Sequence, residues 1–596
     1  MTDYRPPTRD MLFTLSEVID LERLRSIPEF AHAEPDIVAG ALEEAGRFIA
    51  DVVAPLARIG DQQGSVRNED GTVTTPDGYR EAYARLVASG WLGAAFPEEW
   101  GGAGLPLTVA IAIQEMITSA DMAFSLCPML TYGAAEMLIE HGTDEQRAAY
   151  LEKLVSGEWT GTMVLTEAQA GSDVGAVATR AVPAGDGTYR ITGNKIYITW
   201  GEHDLTENII HLVLARTPDA APGTRGISTF LVPKFLVNPD GSPGDRNDVT
   251  CVSIEHKLGI NASPTCVLSF GDRDGAVGYL IGEEQRGMRA MFTMMNNARL
   301  QVGVEGLAVA ERSYQQAAAF ALERKQGRAV GAPKGTVSPI VEHPDVRRML
   351  LMMRSQIEAM RCLTYKNAEA IDYSLHHPDA DARARGAELA AILTPISKAW
   401  CTDAGVEITS LGIQVHAGMG YVEETGAAQW FRDARIAPIY EGTNGIQAQD
   451  LVMRKLPMRE GEAVGDLLDE IRTTAAALDE DLSPIGEALR DAADAVGEAG
   501  TWLLQRLEAE PNDALAGATP YTEMFGLTAG GWLLAESALA ARRRLRSGED
   551  DPFLRDKITT ARFFADHLLP GVRGLLGSTT AGATGLFALA PEAFAR

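Results

Sequence analysis

Positive charge is scarce in this chain. Of 596 residues, 53 are Lys or Arg against 82 Asp or Glu, a formal net charge of −29. Such a surface repels phosphate backbones and anionic headgroups, which argues against nucleic acid as a partner. A polyanionic ligand would need a local basic site inside this acidic field. Cysteine is rare too: Cys127, Cys251, Cys266, Cys362 and Cys401 make 5, an odd number without a CxxC pair. That reads as reduced thiols in a cytoplasmic protein, and no metal ligand set is expected. No uninterrupted apolar run reaches the roughly eighteen residues that would suggest a transmembrane segment. The N-terminal stretch MTDYRPPTRDMLFTL lacks the apolar centre of a signal peptide. No Gly-x-Gly-x-x-Gly follows a strand-like run, and helical and strand-like stretches do not alternate. Both absences argue against a doubly wound dinucleotide-binding fold.

What is present is globular: 45% apolar and 23% charged residues. A chain of this length predicts about three or four domains and can enclose a large ligand. Residues 1–160 read as helical, with ALEEAGRFIADVVAPLARI carrying apolar residues at spacings of three and four. Residues 161–284 change texture. TYRITGNKIYIT, IIHLVLAR, ISTFLVP and TCVLSF have strand length and strand composition between Gly, Pro and Asp breaks. Residues 285–456 return to long helical runs interrupted by AVGAPKGTVSPIVEHP and by the turn HAGMGY. Residues 457–596 are rich in Ala, Leu and Glu and predict a further helical domain with an acidic balance; its ARRRLR cluster reads as a solvated helix face.

Three segments concentrate chemistry. MVLTEAQAGSDVGAVATRA places the hydroxyls of Thr166 and Ser172 beside glycines in a loop, a set of groups that suits a flavin edge or a pyrophosphate. A polar turn explains that segment equally well. In ITGNKIYITWG, alternation puts Tyr197 and Thr199 on one strand face, an aromatic and a hydroxyl able to meet an isoalloxazine ring. An ordinary strand face is the alternative. In RDARIAPIYEGTNGIQ, Glu441 stands between an apolar stretch and the turn-forming run Gly-Thr-Asn-Gly. A carboxylate desolvated there gains basicity; a surface Glu at a helix start is the plain alternative.

In order and spacing, the three segments resemble the acyl-CoA dehydrogenase family. TEAQAGSD resembles its Thr-Glu-Pro-x-x-Gly-Ser-Asp flavin loop, KIYIT its Lys-x-Trp-Ile-Thr strand, and YEGTNGIQ its Tyr-Glu-Gly-Thr motif. GWLGAAFPEEWGG, KLGINASPT, IGEEQRGM, ALERKQGR and QVHAGMGY agree as well, so the likeness spans about residues 40–456. The resemblance implies an α+β protein of the acyl-CoA dehydrogenase fold. Its parts would be an N-terminal helical domain, a middle β-barrel-like domain, a C-terminal four-helix bundle and, here, an extra C-terminal helical domain. It implies FAD as cofactor, an acyl-CoA as substrate and an electron-transfer flavoprotein as acceptor.

Carried over by motif, Leu165 and Thr166 would face the flavin pyrimidine and Ser172 the pyrophosphate and pantetheine. Tyr197 and Thr199 would line the ring. Arg324, Gln414 and Gly418 would bind the FAD of a neighbouring subunit. Arg299 would contact CoA, Gly442 would border the substrate, and Thr443 would close on FAD. Glu441 would take the α-proton while the β-hydrogen leaves as hydride to flavin N5, giving a trans-2-enoyl-CoA as in fatty-acid β-oxidation. Ala168, Tyr197, Gly445, His416 and Ala417 depart from the family pattern, and His416 reads as a loop residue without a role in proton transfer. The extension after residue 456 resembles an extended bacterial branch in which added helices replace a second dimer, which implies a homodimer. Two rivals share the same core: an acyl-CoA oxidase, and a DNA-associated flavoprotein of the alkylation-response type, which the acidic C-terminal region argues against.

Overall fold

The computed structural model describes residues 4–596. The chain folds into two compact units. One comprises Glu44–Leu105 and Met116–Gln301; the other comprises the residues up to Glu43, Pro106–Glu115 and Val302–Arg596.

The first unit is built on eight strands. They are β1 (Thr160–Val164), β2 (Arg180–Pro183), β3 (Tyr189–Thr199), β4 (Ile209–Ala215), β5 (Ser228–Pro233), β6 (Val249–Ile254), β7 (Thr265–Phe270) and β8 (Ala276–Ile281). The ladder runs β6-β7-β3-β8-β5-β4-β1, with β2 beside β3, and it has two ends rather than closing into a ring. Among the ladders of the described strands, that between β1 and β4 is parallel and the others are antiparallel. Every residue of β4 and β5 is buried. Burial on both faces is why IIHLVLA and STFLVP are largely apolar and show no two-residue alternation. Val164, Ile191, Val213, Phe230, Leu268 and Phe270 belong to the core they fill.

Within the region read as helical, the structure adds a small hairpin, Val66–Arg67 paired with Val73–Thr74. Its turn, Asn-Glu-Asp-Gly, has Gly71 at φ 84°, a conformation only glycine adopts without strain. The helix Met122–His141 begins where the Asp121 carboxylate accepts from the Phe124 N–H, and it continues through Pro128. This helix and Ala518–Arg546 are long and apolar enough to cross a membrane, yet 83% and 89% of their apolar windows are buried inside the structure. They are core helices of their respective units.

The second unit is helical. Two long helices, Pro344–His376 and Ala380–His416, pack together and against the part of Gly287–Glu323 that follows residue 301. The helices Glu462–Ala477, Ser483–Ala509, Ala518–Arg546 and Pro552–His567 share one apolar core with them. Trp400 shows why: a Cβ on Gly526 or Gly530 of the Ala518–Arg546 helix would collide with its ring. The helices after residue 456 therefore complete the bundle's interior. A buried ion network ties the same parts together. Arg361, 1% exposed along its side chain, bonds Asp10, Glu115 and Glu311, and Lys557 bonds Asp10 and Glu358.

Candidate active site

In the first unit, one carboxylate organises the loop after β1. Glu167 accepts from the Thr179 N–H at 3.1 Å, the Thr179 hydroxyl at 2.6 Å and the Ala178 N–H at 2.8 Å. Buried Lys195 of β3 donates to Glu167 at 2.8 Å and to the Leu165 carbonyl at 2.9 Å. Burial alone would raise the Glu167 carboxyl, but the Lys195 ammonium and these donors hold it down at about 2. Its stabilising contribution is therefore complete above about pH 4.5 and fades as pH falls toward 2. Lys195→Met removes one partner of a buried pair. The expected cost is about 3–5 kcal/mol, read as a lower denaturation midpoint in urea, together with weakened flavin retention.

The Leu165–Thr166 segment is half-buried and joined to β3 by an Ile196 N–H to Thr166 carbonyl bond of 2.9 Å. Ser172 is exposed. Strand β3 does not alternate simply through this region. Its register against β7 shifts between the Ile198–Cys266 and Lys195–Leu268 pairs. Lys195 and Ile198 are both buried, while Tyr197 is exposed and has φ 59°. The extra residue of this bulge turns Tyr197 outward, which the two-residue period alone did not anticipate. Thr199 is half-buried, and Trp200 follows at φ 53° with its indole N–H donating to the Ala123 carbonyl at 3.1 Å. Among the described residues, the hydroxyls of Thr166, Ser172 and Thr199 make no hydrogen bond within the protein. Free hydroxyls on a rigidly held loop and strand fit the polar edge of a flavin. Arg299, buried on the helix Gly287–Glu323, belongs to the same unit.

In the second unit, Glu441 is half-buried and its main chain is left-handed, φ 56°. A non-glycine residue in that region costs on the order of 1–3 kcal/mol and persists only where its surroundings enforce it. Three neighbouring side chains brace it here. The Gln447 amide donates to the Glu441 carbonyl at 3.3 Å. The preceding residue, Tyr440, donates its hydroxyl to Glu305. Asn444 accepts from Lys398 at 2.8 Å and donates to the Ala399 carbonyl at 3.1 Å and the Thr402 hydroxyl at 3.0 Å. The run read as a turn is therefore only partly one. Gly442 turns at φ 82°, then Thr443 caps the helix Asn444–Asp450 by accepting from the Ile446 N–H at 3.3 Å. Gly445 is exposed on that helix and offers no side chain to a cofactor.

Arg324, Gln414 and Gly418 are exposed at another place in this unit. Phe320 stacks on His416 at 4.5 Å and brings their helix ends together. Arg324 lies about nineteen residues beyond Glu305 along one helical run, roughly 28 Å at the α-helical rise. His416 ends the helix Ala380–His416 rather than lying in a loop, and it is buried with its Nδ1 at 2.7 Å from the Gly412 carbonyl. Burial lowers its basicity, and its ring is held by packing.

Glu305, Tyr440, Asn444 and Gln447 on one side, and Glu167 and Lys195 on the other, had not been singled out from sequence. The available signal was a charged residue inside an apolar run, as in VGVEGLAVA.

The family models match in chain order. The acyl-CoA dehydrogenase N-terminal domain covers residues 40–158, the middle domain 162–273 and the C-terminal domain 285–456. An acetyl-CoA dehydrogenase C-terminal-like model covers residues 467–590. The chain belongs to the acyl-CoA dehydrogenase family. It is 47% identical to the 3-methylmercaptopropionyl-CoA dehydrogenase of Ruegeria pomeroyi, over 95% of this chain and 96% of that protein. It is 36% identical to a butyryl-CoA dehydrogenase of Syntrophomonas wolfei, over 99% of both chains. Among solved structures, ACDH-11 of Caenorhabditis elegans in complex with C11-CoA shares the fold at TM-score 0.74 and 21% identity, over 95% of this chain and 92% of that one. An acyl-CoA dehydrogenase of Bacillus anthracis complexed with FAD gives TM-score 0.73 and 21% identity, over 93% and 90%. The chain is accordingly an FAD-dependent acyl-CoA dehydrogenase. The oxidase and alkylation-response readings gain no support from these relatives.

Proposed function

We propose that Glu441 is the base that removes the α-proton of a short acyl thioester, with 3-methylmercaptopropionyl-CoA and butyryl-CoA as the substrate class. The observation that carries this is the conformation of Glu441, a left-handed, half-buried carboxylate residue anchored on both sides. Such strain, held in place by otherwise unneeded contacts, is characteristic of functional positions. The substrate class is supported by the near full-length likeness to enzymes named for those two thioesters.

Bound FAD would supply the hydride acceptor. The protein's own groups do the rest. Glu441 takes the α-proton. A thioester α-carbon gives up its proton only if the developing enolate oxygen meets a donor, and the Glu441 N–H is proposed for that task. Thr166, Thr199 and Ser172 offer hydroxyls to the flavin and its pyrophosphate, with Leu165 and Tyr197 packing beside the ring. Arg299 is assigned to CoA, Gly442 to the border of the substrate and Thr443 to FAD. Arg324, Gln414 and Gly418 are assigned to the FAD of a second subunit in a homodimer. Arg324 lies roughly 28 Å along its helical run from Glu305, whose partner Tyr440 precedes Glu441, which supports a role in another subunit's site. An electron-transfer flavoprotein is the proposed acceptor of the electrons, in a cytoplasmic β-oxidation type of step.

Anaerobic addition of 3-methylmercaptopropionyl-CoA, butyryl-CoA and palmitoyl-CoA to the yellow enzyme tests the reading. The first two should bleach the visible flavin band at least tenfold faster than palmitoyl-CoA. Bleaching by none of them ends the proposal, and faster bleaching by palmitoyl-CoA ends the short-chain assignment. Hydrogen peroxide formed in air should account for only a small part of the turnover seen with an artificial dye acceptor.

A further inference from the structure

Glu305 lies in the run VGVEGLAVA of the helix Gly287–Glu323, the one acid in an otherwise apolar stretch. It is 1% exposed. Its Oε2 accepts the Tyr440 hydroxyl, and its Oε1 has no hydrogen-bond partner among the described residues. Gly303 and Gly306 flank it. A Cβ on either would collide with main-chain atoms of Ser397 or Cys401, so this stretch packs backbone to backbone on the helix Ala380–His416. A carboxyl placed in so apolar a setting is costly to the fold and calls for an explanation.

We propose that Glu305 is a positioning residue for the reaction: by clamping Tyr440 it holds the main chain of Glu441 in the left-handed conformation that presents the carboxylate to the substrate. The inference rests on the reading of Glu441 as the base. The anchors after Glu441, Gln447 and Asn444, fix where the chain leaves. Where the chain enters, the Tyr440–Glu305 bond is the side-chain clamp, beside the Tyr440 N–H donated to the Ile436 carbonyl at 3.2 Å. Without that bond the Tyr440 side chain no longer braces the left-handed Glu441, whose main chain can then shift toward the right-handed or extended regions and re-aim the side chain.

The charge state of Glu305 adds a signature. Burial pushes its carboxyl up to about 8; the Tyr440 hydroxyl and Lys398 oppose the rise, and the Glu441 charge adds to it. The groups facing it are Lys398 and Cys401 on the helix Ala380–His416, and Tyr440 and Glu441 on the loop. Burial raises both the Tyr440 phenol and the Cys401 thiol above their ordinary values, so neither titrates in this window. Glu305 is therefore mainly neutral at pH 7. As pH rises through about 8 it ionises and sets a second negative charge beside Glu441, where the enolate charge must also develop. The rate should fall across that range.

The test follows anaerobic flavin bleaching by stopped flow in the holoenzyme, with whichever of 3-methylmercaptopropionyl-CoA and butyryl-CoA reacts faster with the parent. Glu305→Leu and Tyr440→Phe are each expected to lower the limiting rate about tenfold to a hundredfold, as for a slightly misplaced catalytic group. Half-saturation should move less than about threefold, and the yellow band should persist. The double variant should be no slower than the slower single, because both remove one contact. Glu305→Gln keeps the acceptor, so it should recover most of the loss and lack the fall above pH 8. If Glu305→Leu fails to hold flavin, Tyr440→Phe and Glu305→Gln carry the comparison. Losses that multiply in the double variant would overturn the assignment. So would a Glu305→Leu rate within twofold of the parent, or an alkaline fall that persists in Glu305→Gln. If the parent bleaches with neither thioester, the base assignment itself falls and the role of Glu305 with it.

Discussion

Glu441→Gln should remain yellow, melt within about 2 °C of the parent and bleach about a thousandfold more slowly, a loss within the range expected when a general base is removed. The first two expectations follow from how the residue is held. The contact from Gln447 reaches the Glu441 carbonyl, and the upstream clamp reaches Tyr440, so neither depends on the carboxylate. Gln has nearly the same volume as Glu and carries no charge to desolvate. The third expectation follows from the lack of a substitute base. Glu305 is close enough to act on the ionisation of its neighbours, but it is raised to about 8 and so carries its proton at pH 7. Its one bonded oxygen is turned to Tyr440. Glu441→Asp, one methylene shorter, should fall between the parent and the Gln variant, because the same chemistry then works from a displaced position. A Gln variant that bleaches within tenfold of the parent would place the base elsewhere. The colour of the variant separates that outcome from loss of the cofactor.

Much of this was legible in the chain because the relevant information is local. Largely apolar runs such as IIHLVLA report strands buried on both faces, and the periodic runs after residue 285 report long helices, as at Pro344–His376. The position of Glu441 between an apolar stretch and glycine was legible for the same reason. What escaped depends on pairs far apart in sequence. Tyr440 and Glu305 are 135 residues apart, Lys195 and Glu167 are 28 apart, and Arg361 and Asp10 are 351 apart. Single-position chemistry cannot choose such partners; it only marks a charge that sits oddly in an apolar run. The bulge at Tyr197 escaped for another reason. A strand's two-residue period holds only while the register does, and the slip between β3 and β7 comes from pairing that the strand does not encode alone. The hairpin at Val66–Thr74 was hidden because two-residue strands are too short to show a period.

Arg361→Met should lower the melting temperature by about 4–7 °C, the largest stability effect expected from a single substitution outside the site. Arg361 is buried and donates to Asp10 at 2.5 Å, to Glu115 at 2.9 and 2.7 Å, and to Glu311 at 2.9 Å. Glu115 also accepts the Tyr365 hydroxyl at 2.7 Å. Met fills much of the same volume but leaves these acids without their shared cation. Removing one partner of a buried ionic group costs about 3–5 kcal/mol, because the remaining charges stay desolvated. Glu115, already raised by burial, would take up a proton; Asp10 retains Lys557 and loses only part of its compensation. Lys557→Met should destabilise through the same Asp10, since Lys557 bonds both Asp10 and Glu358. The two losses should add up to less than their sum. Burial tends to raise Asp10, yet Lys557 and Arg361 together hold it at about 2. The sign of the pH effect follows: the contribution of Asp10 is complete above its unfolded value of 3.8 and is lost as pH falls toward 2. Scanning calorimetry at pH 7 and pH 3 checks both statements, with a smaller gap between the parent and Arg361→Met expected at pH 3. The network joins the helix Thr8–Phe13, the long helix Pro344–His376 and the late helix Pro552–His567, so it fastens both ends of the chain to the bundle that carries Glu441. An Arg361→Met protein that melts within 2 °C of the parent would mean that apolar packing alone, through Trp400 and its neighbours, holds those ends in place.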